Sequence, residues 1–480
     1  MEIYPCCREK IDFVQHTILL VFLLFKVFPT KDINSVQEQY FNRYMKIPSD
    51  ATPLSKKLLT INIIFLISVI AFSPVVSCEN YIQDNIEPVE LTIQDQELDL
   101  LRGEHYLFVK ATEDVNSFHI RYSFPPDYNY QVPIMLEILD DSTAELLHYK
   151  IESDSYEPNK VVNFTLGSLE KDSIVSIHFY YWVLVKNNDY SDLPRYVKIP
   201  KRFELPDETK LWLSSTDVVQ TNNILIKLKA HELKGHTTNL LVLAQRIIHY
   251  AKWHRYPFYC IQLWLGTLKG QDALTTLFRN GDCPGRSHLS NALFRANDVP
   301  ARVIMATPHY SFWFQMHFMT EFYCPGYGWI LAEVHNAVVP YEAKNQIIMR
   351  ICSPQDEDNT GFDYFFPKMT GIERWIWIDN DNVIPYYKDL NEGSKVNMFP
   401  EQSLLTDSVT TQLIFSLTEM ILMLYEQYLG SNLNGENLQH FQNAVSYQKQ
   451  AILELKQSQD PDEYLSRMIL AYTEYQQISI

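Results

Sequence analysis

The spacing of apolar positions changes character along the chain. Over residues 87–201, short runs alternate apolar and polar: Tyr106-Leu107-Phe108-Val109, Phe118-His119-Ile120-Arg121-Tyr122, Ile134-Met135-Leu136-Glu137-Ile138 and Val161-Val162-Asn163-Phe164, with a longer run at 174–185. A period of two belongs to strands with one buried face. Turn chemistry at Pro125-Pro126-Asp127, Asp140-Asp141-Ser142 and Asn187-Asn188-Asp189 separates the runs at the spacing of a β-sandwich, which is expected over 84–205. Nothing in this segment clusters as a site, and its aromatic residues read as core packing.

After Leu205-Pro206-Asp207 the period becomes helical. Asp217 is expected to cap a helix carrying Ile224, Leu225, Leu228 and Leu233, ended by Gly235. Thr237 or Thr238 then caps a second, with Leu240, Leu243, Ala244, Ile247, Ile248 and Ala251, stopped by Pro257. Residues 258–268 are apolar and fit either period, and 271–278 reads as a short helix closed by Asn280-Gly281. Next, Asp282 as N-cap and Pro284 in the first turn start a helix with apolar positions Leu289, Ala292, Leu293 and Ala296. The run Ala301-Arg302-Val303-Ile304-Met305 is β-like, and two apolar strands follow around the tight turn Cys324-Pro325-Gly326-Tyr327-Gly328. Arg374-Trp375-Ile376-Trp377-Ile378 alternates like a strand, with Asp379-Asn380-Asp381-Asn382 as its turn. From Glu401 two or three helices form a C-terminal module, 401–480, without the sustained heptads of a coiled coil.

Two hydrophobic runs lie near the start. Residues 17–28 are interrupted by Lys26 and are short for a bilayer span of about 20 residues. The second is better formed: Lys56-Lys57, an apolar stretch over 58–76, and Val75-Val76-Ser77-Cys78. A basic, an apolar and a small-residue region in that order make a secretory signal, here 55–77 within a leader of 1–77. The final four residues are similar to the lipobox of bacterial lipoproteins, in which Cys78 is the acylated residue; the alternative is a plain transmembrane anchor. A start at Met45 instead of Met1 gives a signal of ordinary length. Both readings expect a membrane-anchored, extracytoplasmic protein of a bacterial cell envelope or surface.

Composition narrows the partners. The chain of 480 residues is too long for one ordinary core, and its 46% hydrophobic and 20% charged residues are those of a folded protein. A net charge of -18 argues against a phosphate-binding surface, so no nucleic acid is expected. Among the 7 cysteines there is no CxxC pair, so no structural zinc site of the usual spacing is expected, and the pairing of Cys260, Cys324 and Cys352 stays open. The Asp379–Asn382 run lacks calcium-loop spacing; no metal or cofactor is expected.

The candidate chemistry lies at 281–335. Cys283 stands at a helix start, where orphan N–H groups and the dipole favour a thiolate, while Asp282 opposes this and calls for a basic partner. A hairpin centred on Pro325 puts His317 opposite Glu333 on one face, with Cβ atoms roughly 5 Å apart. Glu333 can then orient the imidazole and leave its other nitrogen for the thiol. A register shifted by half a residue would put the two on opposite faces, and a His packed among Phe318 and Trp329 is the structural alternative.

Gly281-Asp282-Cys283, the helix at 287–296 and Asn297-Asp298-Val299-Pro300-Ala301-Arg302-Val303 resemble the core of the transglutaminase-like superfamily. So do residues 317–323 with Pro325-Gly326-Tyr327-Gly328-Trp329-Ile330, and Trp212-Leu213 with Val219-Gln220-Thr221-Asn222-Asn223 upstream. The resemblance covers about 206–345 and implies an α+β fold: a transglutaminase-like (papain-like) domain at 206–400 between the β-sandwich and the helical module. It also implies Cys283 as nucleophile, His317 as general base and acid, and Glu333 where the family has Asp. The backbone amide of Cys283 is implied as an oxyanion donor, with Trp264 and Gln220 as candidates on context. Asn297-Asp298, Phe318-Met319 and Glu333-Val334-His335 depart from the family pattern, the last replacing Asp-Pro-Thr. The implied activity is that of a cysteine hydrolase or acyltransferase acting on amide bonds of a peptide or protein, which could be glycan-linked. The alternative is an inactive member serving as a binding or scaffolding lipoprotein.

Overall fold

The structure is a computed structural model. It describes residues 96–479 except 155, 189, 191, 266–269, 308–316, 344–345, 359–375 and 387–394, all of them in the unit Val89–Ile480. The leader, its signal and Cys78, together with Arg374 and Trp375 of the late strand, lie outside the described residues.

Alternating runs become strands as the period-two pattern requires. In chain order they are β1 (Gln96–Ala111), β2 (Phe118–Phe124), β3 (Gln131–Ile138), β4 (Leu146–Ser153), β5 (Lys160–Leu166) and β6 (Ile174–Lys186). Helices α1 (Ile224–Lys234), α2 (Leu240–Trp253), α3 (Tyr256–Trp264), α4 (Ala273–Arg279) and α5 (Cys283–Arg295) follow. Strands β7 (Ala301–Ala306), β8 (His317–Cys324), β9 (Gly328–Ala332) and β10 (Ile348–Ile351) come next, then the short helix α6 (Pro354–Asp358). The chain continues with β11 (Ile376–Ile378), β12 (Val383–Pro385) and β13 (Lys395–Thr406), and ends in α7 (Ser408–Tyr428), α8 (Gly435–Gln457) and α9 (Pro461–Gln476).

Three antiparallel sheets result. One runs β12-β1-β6-β3 with β13 also on β1, a second runs β11-β2-β5-β4, and the third runs β10-β7-β8-β9. The first two face each other: Tyr122 and Phe164 meet Phe179 at ring separations of 5.4 and 5.5 Å. The expected boundary at 400 does not follow this pairing. Strands β11, β12 and β13 return to these two sheets, with Trp377 opposite Arg121 and Phe399 opposite Arg102. Such long-range pairing leaves no mark in local periodicity. Helix α7 is long and apolar enough to cross a membrane, by length and composition alone. Its inner face is buried here: Ile414, Phe415, Ile421 and Leu422 join the core, and Tyr425 Oη donates to Leu136 O at 3.0 Å.

The helix starts differ from expectation. Asn223, not Asp217, caps α1 by accepting from Leu225 N at 2.9 Å. Asn239, not Thr237 or Thr238, caps α2 by accepting from Leu241 N at 3.1 Å. A cap must directly precede the first helical residue, and the apolar pattern fixed those starts only to within a few residues. Gly235 does close α1, at φ +52°. Pro257 opens α3 where it was expected to stop α2, because its missing N–H is harmless in a first turn.

Candidate active site

The site forms where α5 lies along β8. Asn291 Nδ2 donates to Thr320 Oγ1 at 3.1 Å and to Ser287 O at 2.8 Å, holding that face of the helix on the strand. Cys283, Ser287 and Asn291 are spaced four apart and share this face, so the first residue of α5 reaches the first residue of β8, His317.

The start of α5 is closely seated. Asp282 caps it, its Oδ1 accepting from Cys283 N at 2.9 Å, with Pro284 in the first turn. On the far face, Gln271 Oε1 accepts from the amides of Asp282 and Gly285, at 2.9 and 3.2 Å. A Cβ on Gly285 would stand 2.6 Å from that oxygen and 2.5 Å from Thr276 Oγ1, so any larger residue would have to displace both side chains.

The hairpin turns about Gly326, not Pro325. Cys324 pairs with Gly328, Phe322 with Ile330 and Thr320 with Ala332. Tyr327 N donates to Cys324 O at 3.0 Å, and Gly326 takes φ +83°, the residue a Pro-Gly turn requires at its third position. Continuing that register puts Met319 opposite Glu333, so Glu333 is diagonal to His317. The shift is a whole residue in the turn centre, which keeps both side chains on one face. His317 Nε2 bonds Glu333 Oε1 at 3.0 Å. A diagonal pair is wider than a direct one, and the longer Glu side chain suits that span. Trp329 does not stack on His317; it lies over Arg302, 3.9 Å from ring centre to guanidinium carbon.

Glu333 is almost fully buried and accepts two further bonds, from His335 N to Oε1 at 2.8 Å and from Asn336 N to Oε2 at 2.6 Å. Burial raises its pKa, but the bond and charge of His317 and the His335 amide outweigh that and hold it below the usual carboxylate value. For His317, burial favours the neutral ring, yet the hydrogen bonds to Cys283 and Glu333 prevail and raise its pKa to about 10. With Nε2 on Glu333, the bond to Cys283 belongs to Nδ1. The three side chains thus form one hydrogen-bonded row.

The other candidates sit as follows. The Cys283 amide is committed to Asp282. Gln220 Nε2 donates to Asp217 O at 2.6 Å and Asp272 Oδ1 at 2.9 Å, and its Oε1 accepts from Leu274 N, so it braces the start of α4 instead of facing the thiol. Trp264 ends α3 and is 39% exposed. None of Cys260, Cys283, Cys324 and Cys352 forms a disulfide. Among the described residues, no group of three His, Cys, Asp or Glu is arranged to hold a metal ion.

Two neighbours were missed in the sequence. Arg286, fully buried, donates from Nε to Asn280 Oδ1 and from Nη1 to His335 Nδ1, each at 3.1 Å, and lies over the Tyr259 ring at 4.6 Å. His335 places its ring 6.4 Å from that of His317. The only signal was that His335 belongs to the departure Glu333-Val334-His335.

Residues 236–334 match the model of the transglutaminase-like superfamily. No curated protein matches the chain. One similar solved structure is a protein from Cytophaga hutchinsonii provisionally assigned as a cysteine protease, 15% identical, with TM-score 0.41 over 63% of this chain and 98% of that one. Another is the periplasmic domain of TgpA from Pseudomonas aeruginosa bound to ethylmercury, 16% identical, with TM-score 0.24 over 48% of this chain and 92% of that one. Likenesses this distant say nothing about chemistry. The family match spans α2, α5, β7, β8, β9 and the residues from Cys283 to Glu333, and residues 236–334 are a transglutaminase-like superfamily core.

Proposed function

We propose that the protein is an extracytoplasmic, membrane-anchored cysteine hydrolase or acyltransferase acting on amide bonds of peptide or protein substrates. The observation that carries this is the row Cys283, His317 and Glu333, bonded in sequence at the start of a helix. In the reaction, the Cys283 sulfur attacks the amide carbon and its lone pair becomes the S–C bond, while the carbonyl π pair moves to oxygen. As the tetrahedral species collapses, the C–N bond breaks and the amine leaves with the proton of His317 Nδ1. The ring, now neutral, takes a proton from water for hydrolysis or from an amine for transfer, and that nucleophile displaces the thiolate from the thioester. Glu333 holds the ring in place and stabilises it when charged.

Labelling the full chain with an electrophilic thiol probe and mapping the peptides tests this. Cys283 is expected to react and Cys324 to stay inert, since burial pushes its thiol up to about 12. Cys283→Ala should abolish labelling; persistent labelling of that variant, or a silent Cys283 in the parent chain, would support a scaffolding protein instead. The anchor rests on residues 55–78 of the sequence. Fatty-acid labelling lost in Cys78→Ser would support a lipid anchor, and membrane retention without labelling would support a spanning segment.

A further inference from the structure

Attack on an amide places negative charge on the carbonyl oxygen, and the site needs a donor for it. Two donors suggested by the sequence are committed elsewhere, the Cys283 amide to Asp282 and the Gln220 amide to Asp217 and Asp272. The loop after β9 brings another. His335 lies near two neighbours of Cys283, its ring 6.4 Å from that of His317 and its Nδ1 4.0 Å from Asp282 Oδ1. Its side chain is 43% exposed, so the ring borders solvent and the buried row alike.

The tautomer of His335 follows from its partner. Arg286 can only donate, and its Nη1 lies 3.1 Å from His335 Nδ1, so Nδ1 must accept and the ring proton must sit on Nε2. Arg286 is itself fixed by Asn280, Tyr256 and Tyr259. Burial and the Arg286 charge also keep the His335 ring neutral, lowering its pKa. The loop is held too, since His335 N and Asn336 N both donate to the Glu333 carboxylate. Glu333 thereby orients His317 through its side chain and His335 through the backbone.

We propose that His335 donates its Nε2–H to the carbonyl oxygen of the substrate as Cys283 attacks, making it a catalytic residue of the activity proposed above, on which this inference rests. As the S–C bond forms and the π pair moves to oxygen, the bond from Nε2 stabilises that charge. No proton changes hands, and the ring stays neutral throughout.

Two probes of the same thiol separate this role from a structural one. Iodoacetamide alkylates Cys283 at a saturated carbon, where no oxyanion forms; p-nitrophenyl acetate acylates it through one. In the full chain, His335→Phe is expected to slow the p-nitrophenolate burst about 10²-fold while leaving alkylation nearly unchanged. His335→Gln, which keeps an N–H donor, should recover part of the burst. An equal fall in both reactions, an unchanged burst, or a parent chain that alkylates but never acylates would overturn the role of His335. A parent chain in which Cys283 fails to alkylate would refute the nucleophile itself, a distinct result.

Discussion

His317 carries bonds on both sides, and they hold its proton well above the range of a free imidazole. Its pKa is raised to about 10, against 6.5 for a free imidazole, with the bond to Cys283 the largest raising influence. Because the folded value lies above the unfolded one, this group's stabilisation is complete below about 6.5 and is lost as pH rises toward about 10. NMR titration should therefore find His317 still charged at pH 8, and Cys283→Ala should move its titration downward. A midpoint near the free value in the parent chain would contradict the bonded row. Glu333 reaches His317 on a diagonal, so Glu333→Asp, though it restores the residue type of the family pattern, is expected to shorten the reach and slow Cys283 acylation by about tenfold or more. Acylation as fast as in the parent chain would show that the added methylene is unimportant.

At the scale of elements, α5 is clamped at both ends. Gln271 and the close approach at Gly285 seat its start. At its end Arg295 pairs with Glu357 of α6, both side chains fully buried, and also donates to Ala301 O at 2.8 Å and Ser214 O at 2.9 Å. Removing one partner of such a pair leaves a buried charge, so Glu357→Ala is expected to cost about 3–5 kcal/mol in denaturant unfolding. A loss below about 1 kcal/mol would mean that the pair is solvated in solution. The start of β8 depends on its neighbours as well, with Ala306 of β7 opposite His317. The hairpin shows how a small error in a turn centre can leave a chemical conclusion standing: moving it from Pro325 to Gly326 changed the partner of Glu333 but not its face.

Over the whole molecule, α7 and α8 dock on the edge strand β3. Gln448 Nε2 of α8 donates to Ile134 O and Tyr425 Oη of α7 to Leu136 O, both at 3.0 Å, while Lys160 Nζ of β5 meets Glu426 of α7 at 2.6 Å. Beside them Asp127, in the turn before β3, has its pKa pushed up to about 7, first by burial and then by Glu419 of α7, against the opposing pull of Lys160. A carboxyl whose folded pKa is raised imposes no penalty while both states are protonated. Its penalty grows as pH climbs from about 4 to about 7. Asp127→Asn is therefore expected to raise the denaturation midpoint at pH 8 and leave it unchanged at pH 3. A midpoint at pH 8 no higher than that of the parent chain would mean that Asp127 is solvated.

Local pattern was enough for the helix that starts at Cys283 and for the hairpin that carries His317 and Glu333, because amphipathic period, capping residues and turn residues all act within a few positions. Asp282 and Pro284 do start a helix on Cys283, and the turn residues do close a hairpin. What local pattern could not carry was pairing between distant segments: the return of β11, β12 and β13 to the early sheets, Gln220 bracing α4, and Arg286 meeting His335. Those contacts depend on how whole elements pack, which no short window of residues encodes. The sequence by itself determined the helix that starts at Cys283 and the face shared by His317 and Glu333. Only the tertiary structure decided the register that joins them, because a side chain's partner across a sheet is set by the turn and by everything packed against it.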